Sequence, residues 1–354
     1  MKKQLIIVSL FCLFALIVPF TSIATETSDI YITNAWARPA GPMMMDMQDM
    51  DMTDDMTEEP MQDMDMSDMD MPETFGVSAT YMTIENSGDR AISLVSGVSP
   101  YVQVIEIHET NVVDDVMQMR PLEAGIIIEA NATATLQQGG LHIMMINLLR
   151  PLNEGDAVPL TLDFVVLDDD GNASDEILHL VTAVPVVEMP PENATDYIVT
   201  GAWVRATGIG GMQDMEMTEE PMQDMEMTEE PMQDTEMSDM DMMLPPSAIY
   251  MHILNRGDND DRLIAVETNV SDSVEIHETN VVDDVMQMRE VGVIELPAGE
   301  TAVLEQGSFH IMLLGLQREL YLGDAITVTL IFESGNEIVI GVPVLESPMD
   351  LMGM

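Results

Sequence analysis

The chain has 354 residues, room for about two ordinary domains, and carries 64 acidic residues against 11 Lys and Arg. Such a balance excludes nucleic acid, whose phosphates need clustered basic side chains, and favours cations and basic partner surfaces. There is one cysteine, but there are 37 methionines.

Residues 1–24 read as a secretory signal: Lys2 and Lys3, an apolar run from Leu5 to Val18, and a small-x-small cleavage site at Ser22-Ile23-Ala24. The run is too short for a comfortable membrane span, and no other stretch is long enough, so no transmembrane segment is expected after cleavage; the alternative for this run is an uncleaved N-terminal anchor. The single cysteine, Cys12, lies inside this signal and is preceded by Phe11, unlike a lipoprotein attachment site. Both lysines leave with the signal, and the mature chain has no thiol. A periplasmic or otherwise extracytoplasmic location follows.

The rest is an internal duplication. Asn34-Ala35-Trp36-Ala37-Arg38 matches Gly201-Ala202-Trp203-Val204-Arg205, and Ser78-Ala79-Thr80-Tyr81-Met82 matches Ser247-Ala248-Ile249-Tyr250-Met251. EIHETNVVDDVMQMR occurs at 106–120 and again at 275–289, and His-Ile-Met at 142–144 and 310–312. Runs of about five to nine residues rich in Val, Ile, Leu and Thr alternate with turn sequences such as Asn-Ser-Gly-Asp, which predicts an all-β fold. Seven or eight short strands per half suggest a Greek-key sandwich or barrel in each. The expected domains are 25–188 and 196–346, with a Pro-stiffened linker at 189–195 and a Met-rich tail at 347–354. Asp168-Asp169-Asp170-Gly171-Asn172 lacks the glycine placement of a calcium loop and reads as a hairpin turn.

Each half is interrupted after its first strand. Residues 43–71 hold 12 Met and 11 acidic residues, and residues 212–243 hold 11 Met and 12 acidic residues. These low-complexity tracts cannot build a core and are expected to be disordered without a ligand. A solvated acidic linker would need no methionine, whereas thioethers among carboxylates can capture soft metal ions.

The chemistry concentrates in His277, Met288, His310 and Met312, with counterparts His108, Met119, His142 and Met144. His310 and Met312, two apart on a strand, share a face. His277 belongs to a second strand, and Met288 is expected to end the following loop. In the first half the Met119-to-His142 interval is one residue longer, which a loop or bulge can absorb. Each histidine alone is more often a satisfied polar residue, and each methionine more often core. The combination of residue types at this spacing is what points to metal. Neutral thioethers suit Cu(I) and not Zn²⁺, Mg²⁺ or Ca²⁺, while imidazole can keep Cu(II) bound as well. A blue-copper electron carrier would need a thiolate, which the mature chain lacks. Met117 and Met286 share the strand face of Met119 and Met288 and are candidate entry ligands. His179 and His252 have no counterparts and read as structural.

This pattern resembles the periplasmic copper chaperones called PCu(A)C, whose signature is His, ten residues, Met, twenty-one residues, His, one residue, Met. The second half fits without a gap, and the first has one extra residue. The resemblance implies a cupredoxin-like β-fold, Cu(I) held by two His and two Met, and delivery to the copper site of cytochrome c oxidase or another copper-transfer protein. An enzyme such as a cuprous oxidase would need several redox-cycling coppers and usually more than the six histidines present, so no enzymatic activity is expected. A tandem pair with Met/Asp insertions departs from the usual single-domain form. A second reading is a periplasmic copper-sequestering protein in which the tracts are the store.

Overall fold

The computed structural model describes residues 29–41, 74–113, 116–168, 170–208, 244–282 and 285–346. The signal (1–24), both Met/Asp insertions and the 347–354 tail lie outside the described residues. Among the described residues there is no helix, and so none long and apolar enough to cross a membrane.

The described chain is all β, in two tandem units of the same design. The first comprises β1 (Ile30–Ala37), β2 (Val77–Asn86), β3 (Ile92–Val98), β4 (Val102–Val113), β5 (Val116–Pro121), β6 (Ile126–Ile128), β7 (Ala132–Leu136), β8 (Leu141–Leu148), β9 (Ala157–Leu167) and β10 (Ala173–Pro185). The second comprises β11 (Tyr197–Arg205), β12 (Ser247–Asn255), β13 (Asp261–Thr268), β14 (Ser271–Val282), β15 (Val285–Glu290), β16 (Ile294–Leu296), β17 (Thr301–Leu304), β18 (Phe309–Leu316), β19 (Ala325–Phe332) and β20 (Glu337–Leu345). Strands β1 to β10 correspond in order to β11 to β20. The strands are more numerous than expected because short ladders such as Ile126–Ile128 carry too little pattern to read from sequence.

In the first unit one layer has the order β1-β2-β8-β4-β5, with β7 also on β2. The other layer runs β6-β3-β9-β10. Period-two alternation drives the layers together. In β19, Ile326, Val328, Leu330 and Phe332 point inward and are buried. Leu160, Leu162, Phe164 and Val166 do the same in β9. Asp168 Oδ1 accepts hydrogen bonds from the backbone N–H of Asp170 and Asn172, closing the β9–β10 hairpin as expected. Gly171 there takes a φ of 78°, which only glycine adopts without strain.

The two units meet through equivalent elements. Ala183 of β10 pairs with Gly341 of β20, its own counterpart, so the contact has the character of a two-fold. A Cβ at Gly341 would come within 2.5 Å of the Ala183 backbone. Ala157, Ala183 and Ala325 form a small-residue cluster that allows this approach. Arg256 makes a bidentate ion pair with Glu85, and the Tyr101 hydroxyl donates to Asp324 across the same interface. The linker is pinned as well, since Asn193 exchanges hydrogen bonds with the Val339 backbone.

Candidate metal centre

A β-bulge builds the floor of each site. Thr33 pairs with Thr83, but Trp36 pairs with Tyr81, so β1 carries one extra residue between them. Asn34 takes a φ of 51° at that point, and Gly201 takes 59° at the corresponding shift between Thr200 and Trp203. An extra residue reverses the in-out alternation downstream. Trp36 is thereby moved from the core face onto the outer face of the layer, against Tyr81, with ring centroids 4.6 Å apart. Trp203 and Tyr250 stack at the same 4.6 Å. Tyr81 and Tyr250 lie 6.3 and 6.2 Å from His142 and His310.

The imidazoles come together by register. His108 of β4 stands directly opposite His142 of β8, and His277 of β14 opposite His310 of β18. Their ring centroids are 5.7 Å apart at 68° in the first unit and 5.8 Å at 69° in the second. The alternate residues Ile107, Ile143, Ile276 and Ile311 point the other way, into the main cores. His108, His142 and His310 are nonetheless buried, and the His277 side chain is only 15 % exposed.

One nitrogen of each ring is committed. His142 Nδ1 is 3.0 Å from the Gly140 carbonyl and His310 Nδ1 is 3.1 Å from the Ser308 carbonyl. A carbonyl only accepts, so each Nδ1 carries the proton and donates. His108 Nε2 lies 2.7 Å from Glu106 Oε2, and His277 Nε2 lies 2.7 Å from Glu275 Oε2. The remaining nitrogens, His108 Nδ1, His142 Nε2, His277 Nδ1 and His310 Nε2, are buried and without a partner. Among the described residues they are the buried side-chain polar atoms left unsatisfied. Buried polar groups are normally paired, so four orphans at four equivalent places call for an explanation. Burial, reinforced by His277 and opposed by the Ser308 bond, holds the His310 ring below the usual histidine range. A ring kept neutral is a ring able to ligate.

The thioethers divide into two kinds. Met144 stands opposite Glu106 and packs half-buried on the Trp36, Ala79 and Tyr81 cluster, and Met312 does the same opposite Glu275, on Trp203, Ala248 and Tyr250. Met119 and Met288 stand opposite Thr110 and Thr279, on the other diagonal from the central histidine. They are 54 % and 55 % exposed. Met288 was expected to end a loop. It lies instead in β15, because the residues after His277 continue the ladder and fold back as a hairpin, and Met119 sits likewise in β5. The structure therefore brings both imidazoles and one thioether of each set together, with the second thioether presented from the outer strand. Met117 and Met286 share that strand and are more exposed still.

Among the described residues no three His, Cys, Asp or Glu gather into a cluster able to hold a metal ion. Two imidazoles beside thioethers suit a soft ion that also accepts sulfur. His179 is bound to Asp163, away from both pairs, and His252 is exposed on β12. Sequence reasoning missed the glutamates. The visible signal was Glu-x-His, which places both side chains on one strand face.

The fold and these centres define a tandem β-sandwich protein with one paired-imidazole site per unit. The chain belongs to the LpqE-like family, described as putative lipoprotein LpqE-like, which matches residues 30–166 and 198–344. A putative lipoprotein of Leifsonia xyli subsp. xyli is 32 % identical over 118 residues, covering 33 % of this chain. That match spans 65 % of the relative's own length, just under two thirds. Among solved structures, the chain is similar to the copper-bound PCuAC domain from PmoF2, at 20 % identity and a TM-score of 0.28, covering 43 % of this chain and 94 % of that one. It is also similar to CuI-DR1885 from Deinococcus radiodurans, at 23 % identity and a TM-score of 0.26, covering 47 % and 84 %.

Proposed function

We propose that the protein is an exported, non-enzymatic copper carrier. It holds Cu(I) in two sites, His108, Met119, His142 and Met144 in one, and His277, Met288, His310 and Met312 in the other. The observation that carries this reading is the set of four buried, unpartnered ring nitrogens. Each pair offers one Nδ1 and one Nε2 lone pair from facing rings, with a packed thioether on one diagonal and an exposed one on the other. Cu(I) takes this donor mixture readily, and imidazole lets the site keep Cu(II) as well. The packed methionine is the permanent thioether. The exposed one closes over copper and opens to release it, which is what a carrier needs and a store does not.

The functional units are 25–188 and 196–346, joined by 189–195. The acceptor is the copper site of cytochrome c oxidase or another copper-transfer protein, reached outside the cytoplasm. Support for export comes from the leader-like start of the chain and the lipoprotein description of its family. The Met/Asp insertions are collectors that, tethered to their own unit at both ends, raise the local concentration of thioethers beside each site, to roughly millimolar. The described flanks favour this, since the strand that follows each insertion begins beside the site, with Ala79 on Met144 and Ala248 on Met312. Should the tracts themselves bind most of the metal at comparable affinity, the protein is a sequestering store.

Titration of the metal-free mature chain with Cu(I) against a chelating competitor tests the reading. Two tight equivalents that survive deletion of 43–71 and 212–243 are expected. Zn²⁺ held as tightly as Cu(I) by the deleted chain overturns it.

A further inference from the structure

We propose that Glu106 and Glu275 are positioning residues that lock the central imidazole of each pair in the tautomer whose Nδ1 faces the metal. The inference rests on the copper reading above for its purpose, but the tautomer lock is a property of the metal-free protein.

Two residues apart on β4, Glu106 and His108 project from the same face, and the carboxylate reaches Nε2 at 2.7 Å. Glu275 and His277 repeat the distance on β14. An ionised carboxylate can only accept, so Nε2 carries the hydrogen and Nδ1 the lone pair. That Nδ1 is the buried orphan in both units. The facing rings, His142 and His310, are held in the opposite tautomer by backbone carbonyls. Each centre therefore joins one imidazole oriented by a neutral main-chain oxygen to one oriented by an anionic side chain. The carbonyls come with the turn before β8 and β18 and cannot be lost by substitution. The glutamates can.

The anionic partner does a second thing. It strengthens the imidazole as a donor and places negative charge near the metal, which favours Cu(II) over Cu(I) relative to a neutral partner. Glu106 and Glu275 also stand directly opposite Met144 and Met312 on the same face, so the carboxylate neighbours the packed thioether across the strands as well as the imidazole along its own. Their side chains are 41 % and 32 % exposed, so they can be replaced without opening the core.

The test compares the mature chain with its Glu106→Ala/Glu275→Ala and Glu106→Gln/Glu275→Gln variants. The ¹⁵N shifts of the ring nitrogens in the metal-free proteins report the tautomers. Wild type and the Gln variant should show protonated Nε2 at His108 and His277, since the Gln carbonyl oxygen accepts the same bond. The Ala variant should show mixed tautomers there and unchanged ones at His142 and His310. Cu(I) affinity should fall about 10- to 100-fold in the Ala variant and recover largely in the Gln variant, as for other outer partners of ligating histidines. The Cu(II)/Cu(I) potential should rise in the Gln variant. An Ala variant that keeps the wild-type tautomer overturns the lock. A changed tautomer with unchanged Cu(I) affinity overturns its role in metal binding. If instead His142→Ala/His310→Ala leaves Cu(I) affinity intact, the copper reading fails, while the metal-free shifts still decide the lock.

Discussion

The two imidazole pairs match to 0.1 Å and 1°, at 5.7 Å and 68° against 5.8 Å and 69°, although the chain reaches them by connections of different length. After the outer strand, the Leu122 N–H bonds to the Ile107 carbonyl as the Val291 N–H bonds to the Ile276 carbonyl. The extra residue of the first unit falls after this point, in Glu123–Gly125 as against Gly292–Val293, on the way to the opposite layer. The difference teaches where the site geometry resides. It is set by cross-strand register, His108 on His142 and His277 on His310, and not by the loop lengths that make up the sequence interval. The cores tell a parallel story. Leu160 corresponds to Val328 and Val158 to Ile326, conservative exchanges that a packed interior tolerates. The outer-strand segments Met117–Arg120 and Met286–Arg289 are identical although exposed, so packing against a core does not account for their identity.

The sharpest way to break the equivalence of the two centres is to remove one ring. His142→Ala should abolish tight Cu(I) binding in the first unit and leave the second intact, and His310→Ala should do the reverse. The loss should exceed the roughly 10- to 100-fold cost of an outer partner, because a ligand itself is gone. The two tryptophans make this readable, since Trp36 and Trp203 each stand one tyrosine away from one site. Fluorescence quenching on Cu(I) addition should disappear at one and persist at the other, resolved in Trp36→Phe and Trp203→Phe backgrounds. Loss of both sites from a single substitution would show the units to be coupled and not equivalent.

Acid should separate the folded sites from the tracts. Protons compete with copper for imidazole, whose ordinary pKa is about 6.5. The His310 value is depressed chiefly by burial, so copper in the second unit should persist somewhat below that pH before it is released. The same depression has a stability consequence. Its contribution is fully present above the unfolded pKa of about 6.5 and is lost as pH falls through the lower folded value, because the unfolded chain takes up the proton first. Thioethers do not protonate in this range, so tract-bound Cu(I) should outlast site-bound Cu(I). A pH titration of full-length and insertion-deleted chains, with metal release followed by a chromogenic chelator, checks the order.

Deleting 43–71 and 212–243 should slow copper loading several-fold at limiting metal while leaving the affinity of the two sites nearly unchanged. Stopped-flow loading and competition titration give the two numbers separately. Equal loading rates would mean that the tracts do not feed the sites. A collapse in affinity would mean that tract methionines are ligands and that four residues do not complete the site.

Much of this architecture was legible in the sequence, for reasons that can be named. The duplication, the all-β class and the His-x-Met face follow from repetition and from period two, which are local properties. What was not legible depended on long-range pairing. The bulge at Asn34 and Gly201 leaves almost no trace in composition, yet it decides which face Trp36 and Trp203 occupy. Met119 and Met288 looked like loop residues because Asn-Val-Val-Asp-Asp reads as a strand end, whereas the ladder runs on to Val113 and Val282 and returns at once. The glutamate partners needed the tautomer of each ring, which only the neighbouring carbonyls and carboxylates reveal. The signal and the insertions are legible from composition alone, and they lie outside the described residues.

The smallest effect is the most direct check on the register argument. Removing Glu123, which is exposed in the β5–β6 connection, would give the first unit the connection length of the second. Closure entropy changes little for one residue, so the Cu(I) affinity of the first site should stay within about twofold of wild type. The nearest hydrogen bond on the site side, Leu122 to Ile107, lies before the deletion and should survive it. On the far side, Gly125 approaches the Leu94 carbonyl closely, and any strain should be absorbed there, between β3 and β6, away from the imidazoles. A competition titration of the deletion variant measures the affinity, and Trp36 fluorescence monitors the floor of the site. A tenfold or greater loss would mean that the connection, and not the ladder, sets where Met119 meets the metal.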